Sequence, residues 1–260
     1  MRNDKPWPAG TPCWADLTAS DLDRSMKFYS ELLGWTFDAP QPEFGNYTNA
    51  RLDGLTMAGM SPPMSDDDQH HWVLYFATDD AAATAQAVRD AGGQVIVEPM
   101  QVADFGTMAL GTDPTGAFFG WWQSGTHTGF GVVGEPGGFA WDDGMTRDPA
   151  ASQDFYGKVF GWTFQQLPMG DYEYYVYTTP DGTEPAGGLG KLGPETPAEV
   201  PSHWHVYWSV ADTDAACAKA AELGGEVFRE PTDTEYGRIA TLTGPDGERF
   251  TVSGPVAGGA

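Results

Sequence analysis

Apolar and polar residues alternate over residues 13–18, the two-residue period of a strand with one buried face. Over residues 21–33 the period changes. Leu22, Met26, Phe28 or Tyr29, and Leu32-Leu33 recur at helical spacing, with Ser20 or Asp21 placed as N-cap and Gly34 as the stop. Short strands are predicted near Thr36 and over residues 47–52 and 56–60. The order then recurs. A strand is expected over 71–78, a helix over 80–91 stopped by Gly92-Gly93, and strands over 94–98, 107–111 and 118–123. This is βαβββ twice. The second half of the chain reads the same way, so four such units are expected.

The two halves are copies. Phe28-Tyr29 and Gly34-Trp35-Thr36-Phe37 recur as Phe155-Tyr156 and Gly161-Trp162-Thr163-Phe164, at a constant offset of 127. His71-Trp72 recurs as His203-Trp204, Gly92-Gly93 as Gly224-Gly225, Pro99 as Pro231, and Pro114-Thr115-Gly116 as Pro245-Asp246-Gly247. The repeat predicts one module over residues 8–124, a linker over 125–137 and a second module over 138–255. The linker spells Gly129-x-Gly131-x-x-Gly134, but no strand leads into it and no helix follows, so it is not read as a dinucleotide loop.

Composition narrows the function. The chain has 260 residues, 40% hydrophobic and 13% aromatic, enough for a real core. Its 13 Lys and Arg face 37 Asp and Glu, a net charge of −24, which argues against nucleic acid or an anionic membrane surface as partner. Cys13 and Cys217 form no disulfide framework or zinc motif. No apolar run reaches the roughly 18 residues of a membrane span, and residues 1–10 hold no hydrophobic signal core. A soluble cytoplasmic protein is expected. Asn46-Tyr47-Thr48 spells a glycosylation sequon, without consequence in such a location.

Asp21-Leu22 through Phe28-Tyr29 and Gly34-Trp35, their copies at Phe155-Tyr156 and Gly161-Trp162, the helix ending at Gly92-Gly93, and Asp113-Pro114-Thr115-Gly116 with Pro245-Asp246-Gly247 resemble the vicinal oxygen chelate superfamily. That superfamily holds glyoxalase I, extradiol dioxygenases and bleomycin-resistance proteins. The likeness runs from about residue 10 to 254 and is strongest to two-module actinobacterial members. It implies an α+β tandem repeat in which each module curls its strands into a cup-like sheet with helices outside. It also implies candidate metal positions. These fall on Trp14, Val73 and Gly120 in the first module and Trp141, His205 and Thr251 in the second, so one of six is a plausible ligand.

Strand parity then gives the cup walls. The first cup is expected to present Trp14, Asp16, His71, Tyr75 and Trp122. The second is expected to present Trp141, Asp143, His203, His205, Tyr207 and, from its third strand, Tyr174 among Tyr172, Tyr175 and Tyr177. Flat aromatic walls with a few polar groups suit a planar small molecule. The expected function is a metal-free binding or accessory protein for a planar aromatic, secondary-metabolite-like ligand, with no cofactor. The alternative is a superfamily lyase, isomerase or oxygenase acting on a small oxygenated substrate. There His205 and Asp143 are the catalytic acid/base pair, or His203, His205 and Asp143 hold one divalent metal ion. Cys13 is expected as a packed residue on the face opposite Trp14, and Arg238 as either an anion contact or a surface salt bridge. His70 and His127 are expected as loop residues with no role beyond solvent. Two fused modules favour a monomer over a homodimer.

Overall fold

The computed structural model describes residues 1–63, 65 and 70–256. Its first module runs β1 (Pro12–Thr18), α1 (Leu22–Leu33), β2 (Thr36–Phe37), β3 (Thr48–Leu52), β4 (Leu55–Ser61), then β5 (Trp72–Ala77), α2 (Ala81–Asp90), β6 (Gln94–Val102), β7 (Gly106–Thr112) and β8 (Phe118–Ser124). The second repeats the order as β9 (Phe139–Thr146), α3 (Pro149–Phe160), β10 (Thr163–Gln166), β11 (Tyr174–Thr178), β12 (Gly187–Lys191), then β13 (His203–Ser209), α4 (Thr213–Glu222), β14 (Glu226–Thr234), β15 (Gly237–Thr243) and β16 (Arg249–Gly254). The fold is α+β, four βαβββ units in two modules. Each helix opens on an aspartate, Asp21, Asp80, Asp148 or Asp212, whose carboxylate accepts from first-turn N–H groups. Gly34 and Gly161 close α1 and α3 in the left-handed conformation that a side chain would strain.

Each module forms one eight-stranded open sheet. The strand orders are β2-β3-β4-β1-β5-β8-β7-β6 and β10-β11-β12-β9-β13-β16-β15-β14. The first strands of the two units in a module, β1 with β5 and β9 with β13, pair antiparallel at the centre. Alternation then decides the layers. Along β13, Trp204, Val206 and Trp208 are buried on one face, and His203, His205 and Tyr207 look the other way, half-buried. The buried faces of both modules share one core. Trp208 meets Trp35 and Trp72 at 4.9 and 5.3 Å between ring centroids, and Phe76 meets Trp162 and Trp204 at 5.0 and 4.9 Å. Helices pair across the seam, α1 with α4 and α2 with α3. The cup faces therefore point away from the shared core.

Three local expectations change. The strand expected from His71 begins at Trp72, and His71 is exposed. The strand expected to end at Glu98 continues to Val102, because register shifts on either side of Val97 absorb Pro99, which cannot donate to the ladder. The segment expected as a linker is packed. Phe130 and Val132 are buried, the Phe130 amide donates to the Cys13 carbonyl at 2.7 Å, and the Gly131 amide donates to Thr56 at 2.7 Å. Phe130 also stacks on Phe139 at 4.5 Å, tying the first module to the second. Cys13 and Cys217 are buried free thiols. Among the described residues no helix is long and apolar enough to cross a membrane.

Candidate functional site

On β9, Trp141 and Asp143 are two residues apart and share a face. The antiparallel register sets Tyr207 beside Trp141 and His205 beside Asp143. Tyr174 comes from β11 across β12, where Gly188 lies next to Asp143 in the ladder. A β-carbon on Gly188 would overlap both the Tyr174 hydroxyl and Asp143 Oδ1, so glycine is what lets the phenol cross the strand.

These four side chains form a closed cage. Tyr174 donates to Asp143 Oδ1 at 2.7 Å, Tyr207 donates to Oδ2 at 2.5 Å, and the Trp141 indole N–H reaches Oδ1 and the Tyr174 hydroxyl, both at 3.2 Å. Burial raises the Asp143 carboxyl above the usual carboxylate range, and the three donors partly offset this by holding the charged form. Burial and the Asp143 charge push the Tyr207 and Tyr174 hydroxyls upward in turn.

The histidines stand beside the cage and do not join it. His205 Nε2 bonds Thr251 Oγ1 at 2.8 Å, and Thr251 lies 3.2 Å from Thr241 Oγ1. His203 Nδ1 meets the Pro201 carbonyl at 2.9 Å. Burial first, then the charges of His203, Arg229 and Arg249, lower His205 to about 3, so its ring is neutral at pH 7. His203 is lowered mainly by burial. Asp143 and His205 are cross-strand neighbours with separate hydrogen-bond partners. A metal set of His203, His205 and Asp143 fits poorly. Both carboxylate oxygens already accept bonds, and among the described residues no three His, Cys, Asp or Glu side chains are grouped to hold an ion.

The first module carries the same cage. Tyr47 donates to Asp16 Oδ1 at 2.7 Å, the Trp14 indole reaches Asp16 at 2.8 Å and Tyr47 at 3.1 Å, and the Tyr75 hydroxyl lies against the same carboxyl. Gly59 plays the part of Gly188, since a β-carbon there would overlap Tyr47 and Asp16. Trp14, Asp16, Tyr47 and Tyr75 correspond to Trp141, Asp143, Tyr174 and Tyr207.

The surroundings differ. In the first cup His127 is not the solvent-facing loop residue expected. It packs edge-on against Trp14 at 4.3 Å and faces Trp122 at 5.6 Å, while the Trp122 indole donates to the His127 carbonyl at 2.9 Å. Burial lowers the His127 ring to about 4. Trp14 and Tyr75 are left 5% and 4% exposed. Among the described residues no ring caps Trp141 in this way, and Trp141, Tyr174 and Tyr207 remain half-buried. His71 sits at the first cup's rim, 6.0 Å from the Phe118 ring. His70 meets the Thr18 carbonyl at 3.3 Å, so it too has a contact besides solvent.

Of the remaining candidates, Tyr177 lies in the core, bonded to Asp142 at 2.7 Å. Tyr175 bonds Glu173 at 3.1 Å, and Tyr172 stacks at 6.0 Å on Tyr174. Arg238 is the surface salt bridge, paired with Asp214 and Asp233. Sequence reasoning missed Tyr47, which the 127-residue offset from Tyr174 points to, and it missed Arg229 and Arg249 on the second cup's far wall. A separate concavity at the module seam is lined by Trp7, Thr11, Pro12, Phe139, Trp141 and Ala186 and includes neither cage carboxyl.

Comparison with known proteins follows the duplication. The Glyoxalase/Bleomycin resistance protein/Dioxygenase superfamily model matches residues 13–120 and again 144–252. A Mycobacterium tuberculosis protein named "Putative glyoxylase CFP32" is 38% identical over 252 residues, covering 95% of each chain. The "Anthracycline biosynthesis protein DnrV" of Streptomyces peucetius is 38% identical over 261 residues, covering 94% of this chain and 92% of that one. Among solved structures, a Mn(II)-bound glyoxalase from Novosphingobium aromaticivorans superposes with TM-score 0.67 at 15% identity, over 94% of this chain and 82% of that one. BphC, a halotolerant catechol dioxygenase, does so with TM-score 0.66 at 15% identity, over 94% and 86%. At that identity the structural likeness is one of fold.

Proposed function

The chain belongs to the Glyoxalase/Bleomycin resistance protein/Dioxygenase superfamily, and from that premise we propose that its second cup binds a planar aromatic, oxygenated small molecule without a resident metal. The observation that carries this is the half-buried face of Trp141, Tyr174 and Tyr207 held rigid around Asp143, where Trp14 and Tyr75 of the equivalent first-module face are buried. Rings locked by hydrogen bonds lose little entropy when a flat ligand stacks on them. The names of the Streptomyces relatives, anthracycline biosynthesis proteins, support a polycyclic aromatic class. Two modules sharing one core within a chain support a monomer.

Tryptophan fluorescence titration with 2-(hydroxymethyl)anthraquinone tests this reading. Saturable quenching near one equivalent is expected, weakened at least about tenfold in Asp143→Ala, which releases the Tyr174 and Tyr207 hydroxyls. Absence of saturation with the wild-type protein would refute it.

A superfamily lyase, isomerase or oxygenase is the second reading. It is favoured by a neutral His205 standing directly across the ladder from Asp143 on the cup face, two groups able to exchange protons within one small site. On this reading His205→Ala abolishes turnover of a found substrate while binding persists.

A further inference from the structure

The two cups share a cage, but their far walls have opposite character. The ladder runs Tyr207–Thr251–Thr241–Arg229 across β13, β16, β15 and β14, so Arg229 stands on the cup face. A register shift between Val227 and Arg229 turns it there, since Val227 pairs with buried Leu242 on the other face. Arg249 precedes Thr251 by two residues on the same face, and its guanidinium lies 3.7 Å over the Phe228 ring. Both arginines add positive potential at His205, and Arg249 adds it at His203. The same positions in the first module are Val97 for Arg229, Leu110 for Thr241, Phe118 for Arg249 and Val73 for His205. That wall is apolar.

Arginine is scarce in a chain of net charge −24, and its acids are plentiful. Arg2, Arg51, Arg89 and Arg238 are each ion-paired. Arg229 and Arg249 have no ion pair among the described residues. The nearby Asp143 carboxyl is already engaged by Trp141, Tyr174 and Tyr207 and lies at the cage. The overall field repels an anion, so only a local pair of uncompensated guanidinium groups would draw one in. A guanidinium suits a planar, delocalised oxyanion, which accepts two parallel N–H bonds.

We propose that the second cup takes an aromatic oxyanion, a carboxylate or acidic phenol, with its ring on the Trp141–Tyr174–Tyr207 face and its charged oxygens toward Arg229 and Arg249. This rests on the aromatic-cup reading above and adds the charge of the ligand and its orientation. It also confines the oxyanion to the second module, since the first cup offers no cation at these positions.

Paired titrations with anthraquinone-2-carboxylate and neutral 2-(hydroxymethyl)anthraquinone separate the two ideas. The carboxylate is expected to bind at least about tenfold tighter. In the Arg229→Gln/Arg249→Gln double variant that preference is expected to vanish while the neutral probe binds as before. In Arg238→Gln, which removes an ion-paired arginine of the same sheet, the preference is expected to stay. Added salt should weaken the carboxylate only. Equal affinity for both probes, or a preference that survives the double variant, overturns the oxyanion proposal and leaves the aromatic cup standing. No binding of either probe overturns both. A phenol source would show as tighter binding of alizarin above its first ionisation than below it, lost in the same double variant.

Discussion

The two cups are built on one cage and differ in what covers it. In the first, His127 lies against Trp14 and the far wall is Val73, Val97, Leu110 and Phe118. In the second, Trp141 has no such cap among the described residues, and the wall carries His205, Arg229, Thr241 and Arg249. Duplication preserved the hydrogen-bonded Trp–Asp–Tyr–Tyr unit, whose partial loss would strand a buried carboxyl. The wall positions are free of that constraint. One copy fills its cup from within, and the other leaves the Trp141–Tyr174–Tyr207 face half-buried.

The strongest break of this comparison is at the paired glycines. Gly188→Ala forces the Tyr174 phenol off Asp143, and a loss of about 2–3 kcal/mol in stability is expected together with loss of anthraquinone binding. Gly59→Ala strikes Tyr47 and Asp16 in the same way and should cost as much stability, yet leave binding within about twofold. Urea unfolding and fluorescence titration of both variants decide it. Equal binding losses would mean the cups are not distinct.

His127→Ala sharpens the comparison by uncovering Trp14. Binding of the neutral anthraquinone is expected to rise from one to two equivalents in calorimetry. The pH dependence should also change. The folded pKa of His127 lies below its ordinary 6.5, so its packed neutral ring stabilises fully above pH 6.5, and that contribution is lost as pH falls toward 4. Between pH 7 and 5 this amounts to about 2 kcal/mol. The variant should lose that much less than wild type over the same interval.

The smallest effect is expected under the second cage. Asp142 is fully buried, bonded to Tyr177, with its Oδ1 lacking a partner among the described residues, where the first module has Ala15. Burial raises the Asp142 carboxyl well above 3.8, so its charged form costs stability increasingly as pH rises above that value. Asp142→Asn keeps an acceptor for Tyr177 and is expected to stabilise by about 1 kcal/mol at pH 8, with the gain gone near pH 4, read as Tm at the two pH values.

Much of the fold was legible because it rests on local periods. Alternation, helix spacing, aspartate caps and the 127-residue offset each depend on residues near in sequence or on their exact copies. Parity also placed Trp141, Asp143, His205 and Tyr207 on one face, since a strand cannot turn successive residues the same way. Pro99 and Pro231 hid the far halves of β6 and β14, and alternation along one strand could not show the register shift between Val227 and Arg229 that turns Arg229 into the cup.

The sequence by itself determined the duplication, the βαβββ order, the acidic surface and the set of aromatic residues available to each cup. These follow from spacing and count. Only the tertiary structure decided that Asp143 bonds tyrosines from β11 and β13 and not the histidine beside it. Only there does His127, on a connecting segment, reach Trp14, and do two arginines from separate strands come to one wall. Those facts depend on which strands become neighbours and which side chains reach across them, and no period along the chain carries that information.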